Sequence, residues 1–343
     1  MGSLTETNLN ASGSRQIALH ESAADATRAG FGRNVFVRAV VEVSNFCREN
    51  CAYCGMRRDN RTLHRYRARH EQMAELLLNH LPASVTDINI QSGEDPVVVR
   101  EVVLPLLETL HRETSLGVSL CLGTLTEEIY DELQTAGAAI YIMKFETGDA
   151  VRYDAVEAPG TLPERLRHIH LLAQRGWFVS SGFIAGLPGQ TLRELRANLA
   201  LARSLPLAGC SVSPFIPGDD TPLANEHAAS ADWTFNGMAA LRLMRPDWVI
   251  PAVSALNLVQ GDGYRRGLRA GANLVTINMT PDAMREDYII YKRERFIMTE
   301  ERVLAAIDAE GLTPSRQGLA DYYKEQAARA AVATDIAAAA IRV

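Results

Sequence analysis

Short apolar runs alternate with amphipathic stretches through most of the chain. The runs fall at residues 35–43, 87–91, 117–122, 139–146, 178–185, 209–214, 248–253 and 273–278, and their lengths and bounding turn residues suit strands. Between them, apolar positions recur at helical spacing over 71–80, 97–112, 126–136, 163–175, 192–204, 236–244 and 262–270, with a further helix over 299–310. Regular alternation of strand and helix marks repeated βα units around a parallel sheet. The pattern predicts an α/β fold: a complete (βα)8 TIM-type barrel forming one domain over residues 17–320. An Ala-rich helical pattern over 17–30 is its N-terminal helical extension. Residues 1–16 are polar and expected to be disordered, and 321–343 read as an Ala-rich C-terminal helix or tail. In such barrels the chemistry gathers at the C-terminal ends of the strands, so the polar residues just after each run are the ones to read.

Composition narrows the classes. The chain has 343 residues, 47% of them hydrophobic, enough for a large single core. A net charge of -6, with basic residues scattered apart from one cluster, gives no electrostatic case for nucleic acid. No apolar run has the length of a membrane span, and the first residues lack the apolar core of a signal peptide, so a cytoplasmic location is expected. Of five cysteines, three are clustered, which points to a reducing compartment and metal ligation rather than a disulfide framework.

That cluster, Cys47, Cys51 and Cys54, is a C-x3-C-x2-C array directly after the first apolar run, with Tyr53 just before its last cysteine. Three thiolates on one loop reach three corners of a 4Fe-4S cube and leave one iron open. A closed zinc site wants four ligands; His64 or His70 is near enough in sequence to supply the fourth, so zinc is the alternative. At these residues the chain resembles the radical S-adenosylmethionine (SAM) superfamily. The resemblance implies that the open iron of a single 4Fe-4S cluster chelates SAM, whose reductive cleavage yields a 5'-deoxyadenosyl radical. It also implies an electron donor, a reductase such as flavodoxin or ferredoxin. No cysteine follows Cys210, which leaves no ligands for a second cluster.

The turn Ser92-Gly93-Glu94 after the second run resembles the family's Gly-Glu motif, which holds the SAM amino group. By the same resemblance Tyr53, Glu146 and Arg165 line the SAM site. By their chemistry alone, Glu146 is alternatively a surface ion-pair partner of Lys144, and Arg165 an exposed helix arginine. Ile184, Gly186 and Leu187, at the end of the fifth run, suit packing against adenine.

From residue 34 to 317 the pattern resembles the branch holding biotin synthase, the FeFe-hydrogenase maturase HydE and the methylornithine synthase PylB, HydE-like over most of its length and PylB-like in its C-terminal part. Where the methylornithine synthase places an arginine and an aspartate on its amino acid, this chain has Ser211 and Ala255. The reading is therefore an enzyme that rearranges or fragments a small, amino-acid-like substrate in cofactor or natural-product biosynthesis. Ser254, Asn257, Tyr288 and Tyr291 face the substrate, and the two tyrosines are also candidate catalytic groups. Tyr288 and Tyr291 are alternatively core residues three apart on a helical turn. A HydE-like maturase acting on a tyrosine-derived organometallic precursor, and a non-enzymatic iron-sulfur or zinc-binding protein, are the other readings.

Overall fold

The computed structural model describes residues 6–293 and 296–341, without the side chains of residues 6, 7, 330 and 332–341. Seven parallel strands form the sheet: β1 Asn34–Ser44, β2 Asp87–Ser92, β3 Gly117–Cys121, β4 Ile140–Ile142, β5 Phe178–Ala185, β6 Gly209–Pro214 and β7 Leu274–Asn278, in the order β6-β5-β4-β3-β2-β1-β7. A two-residue strand, β8 Thr313–Pro314, pairs with the start of β1. Helices follow the strands on the outside, as the alternation predicts. The helices Leu162–Gln174 and Leu192–Ser204 each begin with a capping box, Thr161 with Glu164 and Thr191 with Glu194. Over 96–113 the helix contains a π turn at Val99–Val103; Pro105 has no N–H to close the regular bond there.

The expected complete barrel is corrected to an open parallel sheet of half-barrel type. The run 248–253 forms no strand. It crosses between β6 and β7 with two isolated parallel bridges, Gly209 to Val249 and Pro251 to Leu274. Pro251 has no N–H for a ladder. The fourth run also stops early: β4 ends at Ile142, and the chain bulges so that the amides of Phe145 and Glu146 both reach the Gly182 carbonyl.

At the N-terminus, disorder was expected up to residue 16. Instead Glu6–Leu9 and Gly13–Phe31 are helical, and Leu9 is fully buried. Asn236 ties this segment down by donating from Nδ2 to the carbonyls of Leu9 and Ala11. Residues 1–5 of that expectation lie outside the described residues.

Alternating residues of each strand face into the sheet's concave side. A (βα)8 interior is normally filled by branched apolar side chains, yet here the inward positions include Arg38, Glu42, Asn89, Gln91, Lys144 and Ser211. Small or polar residues leave a cavity of about 210 Å³ running along the strands. Its floor is the start of the helix Leu319–Ile341. The carboxylate of Asp87 on β2 accepts from the amides of Leu319 (2.6 Å) and Ala320 (3.2 Å), capping that helix. Tyr322 and Tyr323 then pack among Phe31, Phe36, Ile140 and Val249.

Candidate active site

The cysteine loop leaves the C-terminal end of β1 and folds back over the strand ends. Arg65 holds it by donating to the carbonyls of Asn45, Met56, Arg57 and Asn60. Cys47, Cys51 and Cys54 are free thiols on this loop. Burial pushes all three upward, Cys54 to about 12 and Cys51 well above its ordinary value, and their mutual repulsion as thiolates adds to it for Cys51. Without a metal these thiols stay protonated; deprotonation is coupled to metal binding.

The two histidines of the zinc alternative have partners of their own. His64 Nδ1 lies 2.7 Å from Asp287 Oδ2, and His70 Nε2 lies 3.2 Å from Thr109 Oγ1. Among the described residues no group of three His, Cys, Asp or Glu is placed to hold a single ion. The corner irons of a cube need thiolates spread more widely than one ion does.

The Ser92-Gly93-Glu94 turn packs directly under this loop. A Cβ on Gly93 would meet the Phe46 carbonyl at 2.2 Å and Cys47 Cβ at 2.8 Å, so only glycine allows the approach. Ser92 Oγ donates to the Gly93 carbonyl. The Glu94 amide donates to Cys47 Sγ at 3.4 Å. The Glu94 carboxylate, 7% exposed, lies 3.2 Å from Arg165 Nη1 on one side and 3.3 Å from Arg48 on the other. Burial raises its pKa, opposed by Arg165. Arg165 is not an exposed helix arginine: it is 5% exposed and also donates to Thr124 Oγ1 at 2.8 Å.

Glu146 sits in the left-handed backbone region, φ 59°. For a residue with a long side chain this conformation costs about 1–3 kcal/mol and tends to persist at functional sites. Its Oε2 lies 3.4 Å from Lys144 Nζ, so the ion pair exists, although without hydrogen-bond geometry. Burial works against the Lys144 charge, but Glu146 holds the ammonium above its ordinary pKa. Three buried polar atoms here lack a hydrogen-bond partner: Tyr53 Oη, Glu146 Oε2 and Arg165 Nε. Buried polar groups are normally satisfied, and these three come from the cysteine loop itself, the bulge after β4 and the helix Leu162–Gln174.

Ile184 and Leu187 are buried at the end of β5. Gln190 closes their loop, accepting from the Gly186 amide and donating to the Ile184 carbonyl. Arg152 clamps it from outside through Glu194 and the carbonyls of Pro188 and Gly189.

The four expected substrate residues divide. Ser254, Tyr288 and Tyr291 line the cavity, and the tyrosines lie in irregular chain rather than on a helical turn. Asn257 does not line it: its Oδ1 accepts from the Tyr264 amide and its Nδ2 reaches the Ser254 carbonyl, so its amide serves the start of the helix Gly263–Arg269. Arg38, Glu42 and Lys144 were passed over as site residues. Their signal was in the sequence, as charges at inward positions of strands.

The radical SAM superfamily model matches residues 41–202. The chain is 33% identical over 304 residues to the [FeFe] hydrogenase maturase subunit HydE of Thermotoga maritima, covering 87% of each. This chain belongs to the radical SAM superfamily. It is also 26% identical over 295 residues to the 3-methylornithine synthase of Methanosarcina acetivorans, covering 84% of this chain and 82% of that one. Among solved structures, methylornithine synthase (PylB) superposes with a TM-score of 0.81 at 23% identity, covering 94% of this chain and 96% of that one. The maturase HydG of Carboxydothermus hydrogenoformans gives 0.76 at 18% identity, covering 93% and 77%. These two likenesses speak to the fold. The sequence relatives are enzymes, which removes the reading of a non-enzymatic metal-binding protein. Radical SAM proteins of this kind use a 4Fe-4S cluster and SAM, and this chain has a donor set fit for both: three thiols on one loop, and orphaned polar atoms of both charge types beside it. No helix among the described residues is long and apolar enough to cross a membrane.

Proposed function

We propose that this radical SAM enzyme rearranges or fragments a small, polar, amino-acid-like molecule enclosed in the hollow of its sheet. One observation carries the reading: Glu94, Arg165 and Glu146 gather beside the cysteine loop, and Lys144, the ion-pair partner of Glu146, lines a cavity that also presents Arg38, Glu42, Asn89 and Gln91 where such folds are usually filled. In this reading Cys47, Cys51 and Cys54 hold one 4Fe-4S cluster. Glu94 accepts from the SAM amino group, Arg165 binds its carboxylate, Glu146 takes its ribose hydroxyls or amine, and Tyr53, Ser92, Gly93, Ile184, Gly186 and Leu187 shape the pocket around it. When bound, cluster and SAM together supply a 5'-deoxyadenosyl radical.

The chain's own residues then confine that chemistry. The Glu94–Arg165 pair turns over to a ligand without exposing either charge, because Arg48 and Thr124 remain beside them. The Leu319–Ile341 helix closes the lower end against water, and the crossing at 248–251 completes the wall that the open ladder leaves. Ser254, Tyr288 and Tyr291 meet the substrate near the mouth. A flavodoxin- or ferredoxin-type reductase supplies the electron, and the catalytic unit is one domain over 17–320.

Anaerobic reconstitution tests this. About four irons per chain are expected, with 5'-deoxyadenosine formed on reduction with SAM and lost in Cys51→Ala. About eight irons, or cleavage surviving Cys51→Ala, refutes it. A second reading, hydrogenase maturation on a tyrosine-derived organometallic precursor, is favoured by the 33% identity to HydE across 87% of both chains. Rescue of a hydrogenase-producing strain lacking its own HydE would select it.

A further inference from the structure

Most charged groups facing the cavity have a partner. Glu42 accepts from the amides of Gln91 and Asn278, Lys144 lies beside Glu146, and Lys292 lies 3.3 Å from Asp219. Arg38 is different. It stands inward on β1, in register with Asp87 of β2 and Thr276 of β7. Its Nε donates to Thr276 Oγ1 at 3.1 Å, and among the described residues neither Nη has a hydrogen-bond or ion-pair partner. Asp87, across from it, is committed to the amides of Leu319 and Ala320 and to the Thr86 hydroxyl.

The surface that Arg38 keeps faces the cavity, which Leu319 and Tyr323 close from below. A guanidinium held away from bulk water with both Nη groups unbonded is costly; the Asp87 carboxylate offsets only part of that cost, and an anion inside the cavity removes the rest. The planar fork of two free Nη groups matches a carboxylate. Glu42 lines the same cavity four residues higher on β1, roughly 13 Å along the strand and nearer the cysteine loop. Along β1 the cavity thus carries a cation low and a carboxylate high, while its two lysines are each paired with a carboxylate of their own.

We infer that the cavity takes an elongated small molecule whose carboxylate is bound by Arg38 at the lower end, with its opposite, amine-bearing end directed up toward Glu42. The inference rests on the proposed function only for what happens at that upper end.

The test is isothermal titration of the full-length, anaerobically reconstituted protein with 5-aminopentanoate and with 5-aminopentanamide, two probes of one shape that differ in the anion. The acid is expected to bind at least tenfold more tightly, Arg38→Met to abolish the difference, and Arg38→Lys to keep part of it. Circular dichroism checks that each variant folds, and Arg38→Gln carries the same comparison where Arg38→Met does not. Equal affinities, no binding of the acid, or discrimination that survives the loss of Arg38 overturns the inference. If wild-type protein fails to cleave SAM yet discriminates acid from amide, the proposed function falls and this site stands.

Discussion

Replacing Arg165 by methionine separates what that residue does for the fold from what it does for SAM. The change removes one partner of an ion pair in which Glu94 is 7% and Arg165 5% exposed, and it also orphans Thr124 Oγ1. Breaking a buried pair from one side costs about 3–5 kcal/mol, and Arg48, itself half exposed, compensates little. With an unfolding entropy of about 2.1 cal/mol/K per residue, a chain of this length should lose roughly 4–7 °C in Tm. SAM affinity should fall at least tenfold, because a charged contact in a closed site is worth about 2–5 kcal/mol. The double variant Glu94→Gln with Arg165→Met leaves no uncompensated charge, so it should regain most of the stability while SAM binding stays weak. Differential scanning calorimetry and equilibrium SAM binding read the two effects. A single variant with wild-type Tm and wild-type SAM affinity would refute both halves of the argument.

Other expectations are narrower. Gly93→Ala drives a methyl into backbone at 2.2 Å from the Phe46 oxygen, so the loop must shift, at about 1–3 kcal/mol; iron retained per chain after reconstitution should fall, and full iron content would contradict the packing argument. Tyr291→Phe should alter substrate turnover while SAM cleavage without substrate continues; identical turnover on every accepted substrate counts against its role. His20 and His168 are held below their ordinary pKa chiefly by burial. The unfolded chain therefore binds more protons below about pH 6.5, and the stability they contribute is lost as pH falls from there toward their folded values. His168→Asn should flatten the decline of Tm between about pH 7 and 5, and an unchanged slope would show that other groups govern it.

Six of the seven strands lie where the apolar runs predict, because β1 to β3 and β5 to β7 are short segments with apolar residues at alternate or successive positions. The exceptions have local causes. The run 248–253 is apolar enough for a strand, but Pro251 and the carbonyls held by Arg242 keep it out of the ladder. The end of the fourth run is bent by Glu146 in a left-handed conformation that no propensity foretells. At the site, the three cysteines were legible from their spacing and Gly93 from its place in a turn, where the fold shows the close approach that excludes a side chain. Asn257 misled: its position after the 248–253 run suggested a substrate contact, while the fold uses its amide for the next helix. Arg38 and Glu42 are embedded in an otherwise apolar run, and only period-two counting along it puts both on the inward face.

The Asp87–Leu319 contact joins residues 232 apart in sequence, and this bears on how the molecule is born. The cysteines at the mouth are translated well before the floor. At roughly 5–20 residues per second, something like a quarter of a minute to a minute separates emergence of Cys54 from that of Leu319. Throughout that interval the nascent chain exposes three thiols at one end and has no stopper at the other. Until that moment the hollow of the sheet is a tube open at its lower end, and it becomes a closed vessel only when the last helix docks onto a carboxylate waiting on the second strand.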